Sequence, residues 1–133
     1  MRLLAGIALS FAVATPLIAE EPMGGDQFDD LSTGWTLYFE DDSGAYFGAE
    51  QYLGNGRTVW RSRNSGCQWG EWYEADNQIC FLYKGQRPSC WHLYSEGEGM
   101  RAESTDQNAE DRLTLRMINR DRRSLNCEEG PAV

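Results

Sequence analysis

The sequence has 133 residues, with 21 acidic side chains against 12 lysines and arginines, and a formal net charge of −9. A chain of this length suits a single domain. Nucleic acid is excluded as a partner because phosphate binding requires a basic surface, and anionic lipid headgroups would repel the chain. The simplest role of the acidic surplus is solubility.

Residues 1–19 are organised like a secretory signal peptide. Arg2 gives a basic start, residues 3–14 are apolar apart from one glycine and one serine, and Ala19 is a small residue before Glu20. The apolar run is too short to span a bilayer. We therefore predict cleavage after Ala19 and export to the bacterial periplasm or beyond, with no stable membrane insertion.

The next segment, residues 20–33, is acidic and contains glycines. Its apolar residues, Phe28 and Leu31, are isolated. This pattern predicts either a flexible lead or one short helical turn. The remainder, residues 34–133, is predicted to form one β domain with a C-terminal tail.

From residue 34 onward, short aromatic and β-branched runs alternate with clusters of Gly, Asp and Asn, as in consecutive hairpins. The predicted strands are residues 35–40, 45–53, 58–63, 68–74, 78–83, 90–94, 100–104 and 112–119. No connection is long enough for a crossover helix, so neighbouring strands should pair antiparallel. The predicted fold is all-β, a meander of about eight strands that forms a small barrel or a strongly curved sheet. The barrel is favoured because closure removes exposed edges.

Apolar residues alternate along four of these strands, and side chains two positions apart share a face. The predicted core comprises Trp35, Leu37, Phe39, Ile79, Phe81, Tyr83, Trp91, Leu93, Leu113, Leu115 and Met117.

The four cysteines, Cys67, Cys80, Cys90 and Cys127, predict two disulfides in an exported small domain. Counting outward from a hairpin turn near Gly85 places Cys80 opposite or diagonal to Cys90, on the face away from the predicted core. A bond between these two is therefore feasible, and Cys67 pairs with Cys127 by elimination. A redox-active pair is the alternative, but the chain offers no Cys-x-x-Cys spacing and no helix start to activate a thiol.

His92 is the single histidine and lies on a predicted strand. Acid–base catalysis would require an adjacent nucleophile or a partner carboxylate, whereas the nearby Glu96 and Glu98 lie in a turn. An ordinary half-exposed histidine is the favoured interpretation.

Acidic residues also occur in pairs, and a glycosidase would need two carboxylates at a fixed separation across a cleft. The pairs are Asp29 with Asp30, Asp41 with Asp42, Glu71 with Glu74, and Glu110 with Asp111. Because so many acids fall in turns, we interpret them as solvated. Residues 41–44 contain too few ligands for a dedicated calcium site. We predict neither a metal ion nor a cofactor for this chain.

Five tryptophans and six tyrosines are many for so small a chain. Outward-facing aromatic side chains could form a platform for sugars or peptides, or line a barrel mouth. The favoured alternative is that they fill the core, because small β domains rely on large aromatics for burial. The candidates for ligand binding are Tyr46, Tyr52, Trp60, Trp69, Trp72 and His92.

The chain resembles small exported proteins of alphaproteobacterial type that have no assigned function. The resemblance covers residues 34–127 and is carried by four motifs: Gly34-Trp35-Thr36-Leu37-Tyr38, Gly70-Glu71-Trp72-Tyr73, Asp76-Asn77-Gln78-Ile79-Cys80-Phe81-Leu82-Tyr83 and Cys90-Trp91. It implies no catalytic residue. The predicted architecture is also similar to that of lipocalin- and avidin-like barrels, including secreted inhibitors of bacterial proteases, although architecture alone does not define function.

We therefore expect an exported, non-catalytic, monomeric β domain that binds a small ligand or a protein partner in the cell envelope. No Ser, His or Cys set converges in the sequence, which disfavours an enzyme. The alternatives are an envelope hydrolase that uses carboxylates and a purely structural envelope protein.

Processing is directly testable. If residues 1–19 are a signal peptide, the exported protein should begin at Glu20, which intact-mass measurement of periplasmic or secreted material will show. A soluble exported species that retains Met1 would contradict the prediction.

Overall fold

A computed structural model describes residues 12–108, 110 and 112–128. The predicted signal peptide falls largely outside them, since residues 1–11 are not described. Within these residues, no helix is long and apolar enough to cross a membrane. The elements in chain order are α1 (Gly25–Ser32), β1 (Thr36–Glu40), β2 (Tyr46–Tyr52), β3 (Arg57–Ser62), β4 (Cys67–Ala75), β5 (Gln78–Tyr83), β6 (Ser89–Glu96), β7 (Gly99–Ser104) and β8 (Thr114–Asp121).

The eight strands form a closed barrel in sequence order, and every neighbouring pair is antiparallel. The all-β meander is thereby confirmed, and the barrel replaces the curved-sheet alternative. Closure comes from β1, which pairs with β2 on one side and with β8 on the other, from Thr36 opposite Asp121 to Glu40 opposite Arg116. Each predicted strand coincides with an observed one to within two residues.

One predicted core residue is misplaced. Leu113 precedes β8 and is 39% exposed, whereas Leu115 is buried and Met117 packs against the core. Leu113 lies just before the first residue of β8, outside the strand, and its side chain therefore stays partly exposed.

Helix α1 covers one end of the barrel. Phe28 is fully buried, with its ring centroid 5.3 Å from Tyr52, 4.9 Å from Trp72 and 6.3 Å from Phe81. The helix begins where the Gly25 backbone N–H donates to the Glu74 carboxylate, which also suits the positive end of the helix dipole. The segment predicted as a flexible lead or a short helical turn therefore contains an ordered helix of eight residues. Phe28 anchors this helix by packing against three aromatic rings from distant strands, a contact that no sequence pattern indicates.

Two arginines, one in β8 and one just after it, link this strand to the segment around α1. The guanidinium of Arg120 lies 4.3 Å from the ring centroid of Trp35, and Arg122 lies 3.9 Å from it. Arg120 also donates to the Leu31 carbonyl at 2.9 Å, which links β8 to α1. These cation–π and hydrogen-bond contacts fix the covered end of the barrel.

Both disulfides, Cys67–Cys127 and Cys80–Cys90, are those predicted from the sequence. Cys80 and Cys90 are directly opposite in the β5–β6 ladder. The Cys67–Cys127 bond holds the tail against the outer face of the sheet, where Leu125 is buried in one cluster with Ala49 and Val59. Two disulfides indicate an oxidising, extracytoplasmic environment.

Removing the tail disulfide should lower stability without abolishing the fold. The bond closes a loop across a sequence separation of 60, for which the chain-entropy relation gives about 4 kcal/mol. We expect Cys67→Ser combined with Cys127→Ser to lose up to that amount in guanidinium unfolding, while retaining a β-type circular dichroism spectrum. An unchanged unfolding midpoint would show that the bond does not constrain the unfolded chain.

Candidate functional site

A cavity of about 210 Å³ lies inside the barrel, toward the end away from α1, and is open on one side. Its lining is predominantly aromatic and aliphatic, with a few polar side chains near the rim. The lining residues are Phe39, Phe47, Glu50, Tyr52, Trp60, Gln68, Phe81, Tyr83, Gln86, Ser89, Trp91, Leu93, Met100, Ala102 and Leu115. An eight-stranded barrel has room for one small ligand.

Glu50 of β2 is the acidic group of this lining, and its side chain is only 4% exposed. Its Oε1 accepts hydrogen bonds from Thr58 Oγ1 at 2.6 Å and from the Tyr83 hydroxyl at 2.7 Å. Its Oε2 is 2.9 Å from the same tyrosine hydroxyl. No lysine, arginine or histidine among the described residues forms an ion pair with it. The cavity thus contains a buried carboxyl with hydrogen-bond donors but no counter-charge.

The electrostatics of this group follow from its surroundings. Burial raises the pKa of Glu50 from 4.5 to about 7, against the opposing effect of the hydrogen bonds from Thr58 and Tyr83. Burial also raises the pKa values of Tyr52 and Tyr83 well above 10, with the Glu50 charge as the second cause. Near neutral pH, Glu50 can therefore exist in either protonation state while both tyrosines stay neutral.

Gly70 makes room for the hydrogen bond between Tyr83 and Glu50. It lies opposite Tyr83 in the β4–β5 ladder and opposite Thr58 in the β3–β4 ladder. A Cβ atom at position 70 would lie 2.8 Å from Tyr83 Cδ1 and 2.6 Å from the Leu82 carbonyl oxygen. Because the glycine has no side chain, the tyrosine ring can lie across this position and place its hydroxyl at Glu50.

Gly48 makes room for the indole of Trp60 near the open end in the same way. A Cβ atom at position 48 would lie 2.5 Å from the indole of Trp60. A shift in the β1–β2 register between Phe39 and Glu40 changes the strand parity next to this glycine. As a result Phe47 joins the lining, with its ring centroid 5.9 Å from that of Trp60.

The structure brings only two of the predicted ligand-binding residues to the cavity. Tyr52 and Trp60 line it. Trp72 lies deeper, beneath Phe28 of α1, and its Nε1 is the one buried side-chain nitrogen or oxygen of the described part of the chain without a hydrogen-bond partner. Trp72 is thus packed against the helix and does not line the cavity with Tyr52 and Trp60.

Three other candidates lie outside the barrel. Tyr46 is 41% exposed. Trp69 packs against the outer cluster of Ala49, Val59 and Leu125, and its Nε1 donates to the Glu128 carbonyl at 3.0 Å. His92 lies on the outer face, opposite Glu103 in the β6–β7 ladder and 6.3 Å from the Tyr94 ring. These residues therefore do not form one aromatic platform with Tyr52 and Trp60.

The acidic turn at residues 41–44 is closed by its own hydrogen bonds. Asp41 Oδ1 accepts from the Ser43 backbone at 2.9 Å, the Ser43 hydroxyl at 2.5 Å and the Ala45 backbone at 3.2 Å. These bonds, led by that of the Ser43 hydroxyl, lower the pKa of Asp41. Asp42 pairs with Arg116 at 2.8 Å. Over the described ranges, no three His, Cys, Asp or Glu side chains are grouped to hold a metal.

Glu50 was not among the sequence candidates, and a signal for it does exist. It lies two residues from both Gly48 and Tyr52, so it shares their face. A carboxylate alternating with a glycine and an aromatic residue indicates an inward polar position. The adjacent alternation of Phe47, Ala49 and Gln51 is equally plausible without knowledge of the register shift, so the sequence does not fix which face is inside.

No protein-family model, no curated protein and no solved structure matches the chain.

The buried carboxyl should make stability depend on pH. Because its folded pKa is about 7 and its ordinary value is 4.5, the contribution of Glu50 declines as pH rises through that window. We expect Glu50→Gln to gain about 2 to 3 kcal/mol relative to wild type between pH 5 and pH 8. Urea unfolding at both pH values measures this difference.

The matched control is Glu71→Gln, which removes an exposed carboxyl from the outer face of β4. It should follow the wild-type pH profile. A Glu50→Gln stability difference that is the same at pH 5 and pH 8 would contradict the buried-carboxylate argument.

Proposed function

We propose that the protein is an exported binding protein that takes a small, largely apolar ligand into the open end of its barrel. The observation that carries this proposal is the aromatic cavity lined by the Glu50 carboxyl and the Tyr83 hydroxyl, with Thr58 hydrogen-bonded to Glu50. Ligand sites generally combine an apolar lining with a few polar groups that orient the ligand.

The size of the cavity limits the ligand. Pockets for drug-sized molecules hold about 300 to 1,000 Å³, and the volume here is about 210 Å³. A compact ligand, such as a molecule with one aromatic ring and a short chain, fits this space better than a fatty acid or a tetrapyrrole. The covered end restricts entry to the open side of the cavity.

We place the protein in the bacterial periplasm or outside the cell. The signal-like residues 1–19 and the two disulfides support this location. The resemblance to small exported alphaproteobacterial-type proteins is in keeping with it.

The hydrolase alternative gains little from the cavity. Glycoside hydrolysis generally requires two carboxyl groups flanking the scissile bond, and Glu50 is the single carboxyl among the described lining residues. Of the acidic pairs, Asp29 and Asp30 are exposed on α1, and Glu74 receives the Gly25 N–H. Binding without covalent chemistry is therefore the function that the geometry supports best.

Filling the cavity should weaken binding. Ala102 lines it and is buried, so Ala102→Leu places a larger side chain in the ligand space. We expect at least about a tenfold loss of affinity for the best binder among 2-phenylethanol, 2-phenylethylamine and 3-phenylpropionate, measured by titration calorimetry. These three probes have similar sizes and carry no charge, a positive charge and a negative charge, respectively.

Ala75→Leu provides the control, since it makes the same change on the part of β4 near the covered end, away from the lining. It should leave affinity within about twofold of wild type. If none of the three probes binds, or if Ala102→Leu binds them as well as wild type, the proposed function is wrong.

A further inference from the structure

We infer that the cavity selects a compact organic cation, an ammonium carried on a small apolar group, with Glu50 as its counter-charge. This inference rests on the proposed function and adds the chemical class of the ligand. It is carried by the position of one unpaired buried carboxyl in the lining of an aromatic cavity.

The hydrogen bonds of Glu50 leave an acceptor position for such a ligand. A carboxylate oxygen accepts about two hydrogen bonds. Oε1 already has Thr58 and Tyr83 as donors, whereas Oε2 has only the longer contact to the same Tyr83 hydroxyl. An ammonium N–H can bind Oε2 without displacing either donor. Thr58 and Tyr83 would then hold the carboxylate in place for it.

The charges around Glu50 favour a cation over an anion. The described residues that line the cavity include no lysine, arginine or histidine. Arg120 of β8 directs its guanidinium to Trp35 and to the Leu31 carbonyl at the covered end. An anionic ligand would therefore enter a space with a carboxyl and no compensating charge, which is unfavourable in a poorly solvated site. The net charge of −9 acts in the same direction over a longer range.

The aromatic lining adds to this preference. Cations are attracted to the faces of aromatic rings within about 6 Å, and the attraction strengthens when water is excluded. Seven aromatic side chains line the cavity: Phe39, Phe47, Tyr52, Trp60, Phe81, Tyr83 and Trp91. They also provide the apolar surface for the rest of the ligand. A small amine thus satisfies the carboxyl and the rings together.

Affinity for an amine should rise with pH, because the ion pair requires ionised Glu50. The other titratable groups facing it are Tyr52 from its own strand and Tyr83 from β5, both of which stay protonated at neutral pH because burial raises their pKa values. The remaining lining residues from β1, β3, β4, β6, β7 and β8 are uncharged. With a pKa of about 7 for Glu50, binding should strengthen on the order of a hundredfold from pH 5 to pH 8.

The test is calorimetric titration of the mature protein with 2-phenylethylamine and 2-phenylethanol, which differ in the charged group. At pH 8 we expect the amine to bind at least about tenfold more tightly than the alcohol, and 3-phenylpropionate to bind least. In Glu50→Gln the preference for the amine should disappear while the alcohol still binds. Glu71→Gln should retain the wild-type preference.

These measurements separate failure of the cation inference from failure of the proposed binding function. Alcohol binding that equals or exceeds amine binding, or amine binding that weakens as pH rises from 5 to 8, would overturn the inference and leave the proposed function in place. The first outcome would indicate a protonated Glu50 that donates to a neutral ligand. Should Glu50→Gln fold poorly, the wild-type pH profile and the ratio of amine to alcohol affinity decide the question without it.

Discussion

Strand β1 is hydrogen-bonded to β2 along one side and to β8 along the other, and this double pairing closes the sheet. Once the sheet is closed, every inward side chain faces one shared interior, which reaches solvent only at the two ends. Helix α1 covers one of these ends with Phe28. The open cavity and the burial of Glu50 both follow from this arrangement, because neither would persist on an open sheet with one face in water.

Inside the barrel, two glycines make room for large aromatic rings. Gly48 and Gly70 stand where an ordinary side chain would collide with Trp60 and Tyr83, so both rings can lie flat across the wall. Both rings border the cavity, and Tyr83 also carries the hydroxyl that binds Glu50. The buried carboxyl lowers stability near neutral pH, and functional sites commonly retain such unfavourable groups.

The outer face supplies reinforcement that a small domain with a hollow interior needs. Cys67–Cys127 fastens the tail over the sheet, and Cys80–Cys90 joins two adjacent strands. Small domains bury a smaller fraction of their surface, so disulfides often supplement the core. No cysteine is among the described residues that line the cavity, so neither bond occupies it. This division leaves Tyr83 and its neighbours free to serve the cavity.

The sequence by itself determined the local features of this protein. Turn residues and alternation located the eight strands, and strand parity about Gly85 paired Cys80 with Cys90, because hairpin register depends on residues close in the chain. Tertiary structure alone decided which face of β2 points inward, since that depends on which β2 residues lie opposite Leu37 and Phe39 of β1. It also decided that Phe28 covers the barrel and that Glu50 meets Tyr83 across 33 residues. Such contacts between distant segments leave no periodic signal, so only the closed barrel defines the candidate site.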